Sequence, residues 1–193
     1  MTDSAHGTDL CGRFLLAMPG MGDPRFERSV IYMLAHGAEG AMGFIINHPA
    51  DGLTLGDIAS NLPENVAATG LRNLPVYVGG PVQNDHGFVL HTKDYPKTDA
   101  SQFDNKLPVC VTQSLEVLVD AARAKGPEHM LLLLGYAGWG PGQLEGEIQE
   151  NAWLACDADL SAIFSPDPAT LYEKCIAQMG VDLALLSASG GEA

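Results

Sequence analysis

The sequence predicts a single compact α+β domain, with a mixed, mostly antiparallel or barrel-like sheet and helices packed around it. Two apolar segments, 29–36 and 41–47, flank Gly37-Ala38-Glu39-Gly40, and this spacing predicts an antiparallel hairpin. Elsewhere, strand-like apolar runs alternate with segments whose apolar residues recur at helical spacing. Hairpins combined with strand–helix alternation indicate an α+β domain.

The composition is that of a folded globular chain. Of 193 residues, 46% are hydrophobic and 18% are charged. This composition is sufficient for a substantial hydrophobic core, and it excludes an intrinsically disordered protein. No internal repeat or linker divides the chain. We therefore expect one domain over residues 10–186, with mobile tails at 1–9 and 187–193.

The charge balance restricts the classes of partner. Ten basic and 24 acidic residues give a net charge of −14, which repels phosphate backbones and anionic membrane surfaces. The sequence begins without a basic segment ahead of a long apolar run, and no stretch is long enough to cross a bilayer. These features predict a cytoplasmic protein without membrane association, and make direct nucleic-acid binding an unfavoured function.

The first half of the chain predicts three strands besides the hairpin, and one short helix. Residues 14–18 form an apolar run that ends at Pro19-Gly20, as a buried strand does. After the hairpin, 53–62 has apolar residues on one helical face, with Thr54 as the cap. Segments 75–78 and 87–91 predict two more strands.

The second half alternates strands with helices. A strand at 107–112 precedes a helix capped by Ser114, whose buried stripe is predicted to include Leu115. Residues 152–156 predict another strand. The last helix opens at Asp167-Pro168 and closes at Gly180, with Leu171, Cys175, Ile176 and Met179 on its buried side.

Residues 129–150 are the most distinctive stretch: an apolar strand, a turn rich in glycine, and a helix with Pro141 at its first position. Free N–H groups at such a helix start can bind an anion. However, Trp139 stands where a nucleophile elbow carries Ser, and the Lys-Ser/Thr pair of a phosphate-binding P-loop is missing. We therefore predict no cofactor here, and we expect Trp139 to be a structural residue.

Three loops at predicted strand ends form a candidate ligand site. The residues proposed for it are Arg25, Arg28, Ser29, Gly79, Gly80, Gly138, Trp139, Gly140, Gly142 and Gln143. The structural alternative is that the glycines allow close packing and that the arginines pair with Asp23 or Glu27. The sequence is compatible with both interpretations.

Other chemistry has weaker support. His36, His48 and His91, with Asp23 and Ser29, supply the residue types of a hydrolytic triad, but their spacing gives no sign of one. No metal site is predicted from His36, Asn47 and His48, because no helical histidine pair or carboxylate accompanies them. The four cysteines, at 11, 110, 156 and 175, form no CxxC pair and are expected to be buried thiols.

Three blocks of sequence resemble the YqgE/AlgH family of bacterial proteins. They are RFLLAMPGMGDPRFERSVIYMLAHGAEGAMGFIINHP, PVYVGGPVQNDHGFVLH and LLLLGYAGWGPGQLEGEIQENAWL. The resemblance extends from Gly12 to about Asp182 and implies a cytoplasmic bacterial protein with one α+β domain. It implies no catalytic residue, since the family is largely uncharacterised. Gly146, inside the helix after the central turn, departs from the family pattern.

Three functions are compatible with these observations. We favour a non-catalytic regulatory or interaction protein with an unidentified protein partner. The alternative is an enzyme or binding protein for a small anionic ligand held at the glycine-rich turn. The family's label also suggests a transcriptional regulator, but the sequence contains no basic recognition helix. A deep cleft with convergent polar groups would favour an enzyme, and a shallow apolar patch would favour a partner protein.

Overall fold

The computed structural model describes residues 9–58, 70–96 and 106–180. The predicted tails, apart from residue 9, and the end of the predicted helix at 59–62 lie outside these ranges. The domain limits of 10 and 186 therefore stay predictions.

The described residues form nine strands and five α-helices, confirming the α+β class. The strands are β1 (Arg13–Ala17), β2 (Val30–Gly37), β3 (Gly40–Ile45), β4 (Pro49–Thr54), β5 (Pro75–Val78), β6 (Val82–Thr92), β7 (Val109–Thr112), β8 (Met130–Trp139) and β9 (Trp153–Asp157). The helices are α1 (Leu55–Ile58), α2 (Glu116–Ala122), α3 (Gln143–Gln149), α4 (Leu160–Ile163) and α5 (Leu171–Gln178), and short 3-10 turns occupy Pro24–Phe26, Gly70–Asn73 and Pro168–Thr170.

The strands belong to one mixed, open sheet. Its order is β4-β5-β8-β3-β2-β1-β9, and β6 pairs with both β8 and β7. The predicted hairpin of β2 and β3 is confirmed, with Ile31 opposite Ile45. The pairing of β5 with β8 is parallel, whereas the other strand pairs are antiparallel. The sheet is thus mostly antiparallel, and it is open rather than barrel-like.

Several element limits differ from the prediction. Leu53 and Thr54 belong to β4, and α1 begins at Leu55. Strand β4 was missed because its sequence, PADGLT, has neither apolar alternation nor a run of β-branched residues. The 3-10 turn and α5 together match the predicted last helix, and Gly180, with φ of 68°, follows α5 in the left-handed conformation of a helix end.

Two helix starts were also predicted wrongly. Helix α2 begins at Glu116, and Leu115 is 57% exposed instead of lying on the buried stripe. Helix α3 begins at Gln143, with Gly142 as its left-handed N-cap at φ 73°. Pro141 therefore precedes the helix, because the chain needs Gly142 to turn into it.

Three hydrophobic clusters pack against the sheet. The α5 core contains Leu171, Tyr172, Cys175 and Ile176 of α5 and apolar side chains from β1, β2, β3, β6 and β8. The tryptophan core contains Trp139, Trp153 and Leu144 of α3, and the α2 core contains Val117 and Leu118 of α2. Burial of these side chains supplies the main favourable free energy of folding.

Strand β8 contributes to all three clusters. Leu131 and Leu133 enter the α5 core, while Leu132 enters the α2 core, as alternation along a strand requires. Gly135, with φ of 68°, interrupts this alternation. After it, Ala137 and Trp139 point into the tryptophan core. No helix in the described residues is long and apolar enough to cross a membrane.

Candidate functional site

Gly79 and Gly80 let the chain cross strand β8. Gly79 lies between two strands, donating its N–H to Leu134 and accepting from the Ile45 N–H at 2.8 Å. A Cβ on Gly80 would overlap the backbone of Tyr136 and Ala137. The chain passes from β5 to β6 here with its backbone in direct contact with the backbone of β8. Glycine permits this close approach because it has no Cβ. At these two positions the geometry matches the structural alternative.

Arg25 and Arg28 have separate acidic partners. The Arg25 guanidinium lies 2.6 Å from Asp23 Oδ2, and its hydrogen bonds lower the pKa of the Asp23 carboxyl. Arg28 instead pairs with Glu173 of α5 and stacks over the Tyr172 ring, 5.0 Å from the ring centroid. The two arginines therefore do not form a joint anion site.

Ser29 is fully buried beside a structural asparagine. Asn47 Oδ1 accepts the Val30 N–H at 2.7 Å, and Asn47 Nδ2 donates to the Arg28 carbonyl at 2.9 Å. This amide holds Arg28 in a left-handed conformation with φ of 54°. The Ser29 Oγ atom has no hydrogen-bond partner among the described residues and no exposed surface. Its burial leaves no route for a ligand.

Trp139, Trp153 and Glu147 form what we call the tryptophan joint. Glu147 Oε2 accepts both indole N–H groups, from Trp139 at 2.8 Å and from Trp153 at 2.7 Å. The two rings meet edge to face at 5.7 Å, and Phe26 meets Trp153 at 5.4 Å. Trp139 is 7% exposed, which confirms its predicted burial between β8 and α3. The shared carboxylate satisfies two buried donors at once.

The turn between β8 and α3 satisfies its own polar groups. Gln143 Oε1 accepts the Gly140 N–H at 3.0 Å, and Gln143 Nε2 donates to Glu147 Oε1 at 2.8 Å. In the same helix, Glu145 accepts from His36 Nε2 at 3.1 Å, while His36 Nδ1 accepts the Leu10 N–H. The predicted anion position is therefore occupied in part by Gln143 and faces two carboxylates.

On the other face of β8, the sheet bears a shallow groove that we call the Gly138 groove. It measures about 460 Å³, and its described lining residues are Ala35, Glu39, Gly40, Ala41, Met42, Val82, Tyr136, Gly138, Trp139 and Gly140. Its floor is a row across three strands, since Ala35 is opposite Met42 and Met42 is opposite Gly138. The absence of a side chain at Gly138 makes the depression.

The groove continues the face that carries the α5 core. Met42 and Tyr136 pack against that core, and the Tyr136 ring meets Phe88 edge to face at 6.0 Å. Toward α5 this face is covered by helices, but at Ala35, Met42 and Tyr136 it stays half-buried. The groove is thus an uncovered end of an apolar sheet face.

The lining of the Gly138 groove offers few groups for acid–base or nucleophilic chemistry. Among the described lining residues, Glu39 and Tyr136 carry the only ionisable side chains, and none of these lining residues is a histidine or a cysteine. An acid–base or nucleophilic mechanism needs such a partner within hydrogen-bond reach. In the groove, the structure brings together three of the ten predicted residues, Gly138, Trp139 and Gly140.

The histidines considered for a triad have separate structural partners. His91 is fully buried, with Nδ1 donating to the Thr92 carbonyl at 2.7 Å, and burial lowers its pKa. Burial also lowers the pKa of His48, opposed by hydrogen bonds with the backbone of Glu27 and Arg28. In the part of the chain that the structure describes, no group of three or more His, Cys, Asp or Glu side chains could hold a metal ion.

Comparison with known proteins places the chain in a family. The AlgH-like family model matches residues 14–184. The chain belongs to the AlgH-like family. A UPF0301 protein of Ruegeria pomeroyi is 46% identical over 96% of this chain and all of its own length. One from Bradyrhizobium diazoefficiens is 45% identical over 95% of this chain and 88% of its own. The resemblance found in the three sequence blocks is confirmed.

Two solved structures share the architecture. The solution structure of AlgH from Pseudomonas aeruginosa is 39% identical, with a TM-score of 0.75 and complete coverage of both chains. A crystal structure from Corynebacterium diphtheriae has a TM-score of 0.69 at 24% identity, covering 94% of this chain and 93% of its own. The second likeness concerns the fold alone.

Sequence reasoning missed the residues that hold the site together. The sequence analysis gave Glu147 no role, and it included Trp153 only as part of the strand predicted at 152–156. Their contact depends on how β9 lies against α3 once β9 has paired with β1, and no local pattern in the sequence indicates that arrangement. A weak signal was available, because Glu147 lies four residues after Gln143 on the same helix face.

Proposed function

We propose that this AlgH-like chain is a cytoplasmic interaction protein that acts without catalysis, and that the Gly138 groove receives apolar side chains of a regulatory partner protein. The observation that carries the proposal is the uncovered apolar row formed by Ala35, Met42 and Gly138. Apolar surface that the rest of the chain leaves uncovered is available to the side chains of a partner protein.

The shape of the groove supports a partner protein over a small substrate. Catalytic pockets are concave and bury most of their ligand, with several polar groups directed at it. Here the depression is open, and its floor consists of Ala, Met and Gly. Methionine side chains adapt to different apolar partners. The rigid tryptophan joint behind β8 keeps the floor in place.

Charge defines the partner further. The chain carries −14, and the exposed Glu39 stands at the edge of the groove. A basic segment next to the inserted apolar side chains would be attracted over a distance of about 10 Å at moderate salt. We expect an apolar segment flanked by Lys or Arg, and an association rate that falls with rising salt.

Photocrosslinking in cells tests the proposal. A photoreactive amino acid replaces Val82, which lines the groove, and in a matched control it replaces Val78, which is 42% exposed and outside the groove. The expected result is a discrete crosslinked protein at position 82, absent at 78, and lost when Gly138→Val fills the groove. Equal crosslinks at both positions, or a crosslink that survives Gly138→Val, would contradict the proposal.

The same charge argues against direct action on DNA. The chain is expected to show no sequence-selective, salt-sensitive DNA binding, because it would have to overcome its own field. Helices α2 and α5, which the structure describes in full, contain only one basic residue between them, Lys174. A footprint made by the purified protein at physiological salt would contradict this expectation. Any regulatory role would then act through DNA and not through a partner.

A further inference from the structure

A second pocket, which we call the Phe164 pocket, lies at the other end of strand β8 from the Gly138 groove. It measures about 470 Å³, within the roughly 300 to 1,000 Å³ usual for small-molecule sites. Its described lining comes from four segments: the 3-10 turn at Gly70–Asn73, the end of α2 with the loop after it, the start of β8, and Phe164 after α4. Met130, at the start of β8, is about 26 Å along the strand from Gly138. The two sites are therefore separate.

The walls of the Phe164 pocket are apolar and are held by two hydrophobic clusters. Leu71, Leu74 and Met130 pack against the α2 core, and Leu131 and Phe164 belong to the α5 core or pack against it. The loop after α2 lies directly on that helix, because a Cβ at Gly126 would be 2.6 Å from the Ala121 Cα. The pocket is thus preformed by packed elements, as small-molecule sites usually are.

Two stacked rings form one side of the pocket. The His129 imidazole and the Phe164 ring have centroids 5.7 Å apart and planes inclined by 24°. The backbone of His129 is fixed to the end of β6, since its N–H donates to Thr92 Oγ1 at 3.2 Å and its carbonyl accepts the Thr92 N–H at 3.1 Å. Aromatic rings attract other flat rings and also cations. This side of the pocket therefore suits a flat ligand.

The rim of the pocket carries negative charge. Glu128 and His129 have the only ionisable side chains among the described lining residues. Within the described ranges, the Glu128 carboxylate accepts no hydrogen bond, because His129 Nε2 lies 4.0 Å from its Oε1. A second carboxylate is close, since Asp94 Oδ2 accepts the Glu128 N–H at 2.9 Å. A ligand with a positive charge or N–H donors is attracted here, whereas a carboxylate or phosphate is repelled.

The basic residues near the pocket in sequence do not line it. Arg123 and Lys125 follow α2 and are exposed, and neither belongs to the described lining. Arg72 lies against α1, since a Cβ on Gly56 would be 3.1 Å from Arg72 Nε. Solvent and salt screen such exposed charges over about 10 Å. Glu128, which lines the pocket, therefore decides the sign of the charge that a ligand meets.

We propose that the Phe164 pocket binds a small aromatic cation, namely a flat aryl group that bears an amine, amidine or guanidine. The aryl group fills the apolar space beside Leu74 and Met130 and extends the stack of Phe164 and His129. The cationic group donates to the Glu128 carboxylate, and a planar amidine or guanidine can do so through two parallel N–H···O bonds. The net charge of −14 attracts such a ligand from solution. This site does not depend on the partner proposed for the Gly138 groove.

Three probes of nearly the same shape test the proposal. Benzamidine, benzamide and benzoate share a phenyl ring and a planar head group, whose charge is positive, neutral or negative. In an NMR titration of the full chain, benzamidine should give saturating shifts at the amides of Gly126, His129 and Phe164, with the millimolar affinity usual for so small a ligand. Benzamide should bind about three- to tenfold more weakly, and benzoate should not bind.

Three results of these titrations would overturn the proposal. They are the absence of saturating shifts with benzamidine at millimolar concentration, equal affinities for benzamidine and benzoate, and shifts confined to Gly138 and the other residues of its groove. Each result would show that the Phe164 pocket does not select an aromatic cation.

Two substitutions separate the role of charge from that of stacking. Glu128→Gln keeps the shape of the side chain and should lower the affinity for benzamidine to that for benzamide, without changing the affinity for benzamide. Phe164→Leu should weaken the binding of both probes by about threefold to tenfold. Glu39→Gln, which removes an exposed carboxylate at the Gly138 groove, is the matched control and should change neither affinity. If Phe164→Leu misfolds by circular dichroism, Glu128→Gln still decides, because the Glu128 side chain is 76% exposed: an unchanged affinity for benzamidine would refute the proposal.

Discussion

The two faces of strand β8 after Gly135 differ in how completely they are packed. Toward α3, Ala137 and Trp139 are buried, and every indole N–H of the tryptophan joint has its carboxylate acceptor. Toward the groove, Tyr136 is half-buried and Gly138 is exposed. One strand of alternating residues thus has a sealed face and an open face.

Because the two faces are packed differently, substitutions on one face should change the stability of the protein and substitutions on the other should change partner binding. On the sealed face, removal of a side chain leaves a cavity or an unsatisfied donor, and either costs free energy of unfolding. On the open face, a changed side chain meets solvent or a partner. Substitutions one residue apart along β8 should therefore have different consequences: a loss of stability on the sealed face and a loss of partner binding on the open face.

Gly80→Ala should have the largest effect. The added Cβ would overlap the backbone of Tyr136 and Ala137, which cannot move without breaking β8 from its neighbours. We expect a loss of about 4 kcal/mol or more in the free energy of unfolding, measured by urea denaturation. The control is Gly142→Ala, where no atom lies within 4 Å and only the positive φ is unfavourable, at about 1 to 2 kcal/mol. Equal losses in the free energy of unfolding for Gly80→Ala and Gly142→Ala would show that the chain does not pack tightly where it passes β8.

Trp139→Ala should destabilise the protein by about 3 to 5 kcal/mol, as for other large aromatic residues removed from a core. The ring contacts Trp153 and lies in the cluster that includes Leu144. Trp139→Phe keeps an aromatic ring and loses the hydrogen bond to Glu147, so its loss should be about 1 to 2 kcal/mol. Thermal and urea unfolding measure both. A Trp139→Ala protein that melts like the parent would show that this face is not sealed.

Glu147→Ala should cost about 2 to 3 kcal/mol, because it leaves two indole N–H groups without an acceptor. Glu147→Gln retains an acceptor oxygen and should lose less. The control is Glu150→Ala, at an exposed position after α3, which should change the free energy of unfolding by less than about 0.5 kcal/mol. Similar losses for Glu147→Ala and Glu150→Ala would argue that solvent, and not the joint, satisfies the indoles.

The sequence predicted the parts of the fold whose signals are local. The hairpin of β2 and β3 follows from apolar runs on both sides of four turn residues, and the end of α5 follows from Gly180. Strand β4 could not be found, since PADGLT pairs with β5 through two widely spaced positions and not through a regular ladder. Whether such a segment forms an edge strand depends on its contacts with the neighbouring strand more than on its own sequence.

The candidate site was predictable only in part for a related reason. Glycines at 79–80 and 138–142 look equivalent in sequence, yet a Cβ at Gly80 would meet backbone while one at Gly142 would meet nothing. Which glycine serves packing depends on how β5 and β6 cross β8, which is a property of the topology. The same holds for Arg28, whose partner Glu173 lies 145 residues later in the chain.

Gly138→Val should leave stability nearly unchanged and weaken partner binding. The nearest atom to an added Cβ is Cε2 of the Tyr136 ring at 3.1 Å, so a small ring shift accommodates it. We expect a stability change below about 1 kcal/mol and at least a tenfold loss in affinity for the crosslinked partner, equivalent to about 1.4 kcal/mol. Gly87→Val, in open space on β6, is the matched control and should bind normally. Strong destabilisation by Gly138→Val would mean that this face too is packed.

The smallest expected effect is that of inorganic phosphate on the turn between β8 and α3. Pro141 has no N–H to offer, and the Gly140 N–H is already bonded to Gln143 Oε1 at 3.0 Å. The two carboxylates of Glu145 and Glu147 repel an anion by about as much as the helix dipole attracts it, each effect being about 0.3 to 1 kcal/mol. Amide resonances of Gly140, Gly142 and Gln143 should therefore stay unchanged during an NMR titration to millimolar phosphate. Saturating shifts at these three residues would instead support the small-anion function, and would move the functional site from the open face of β8 to its end.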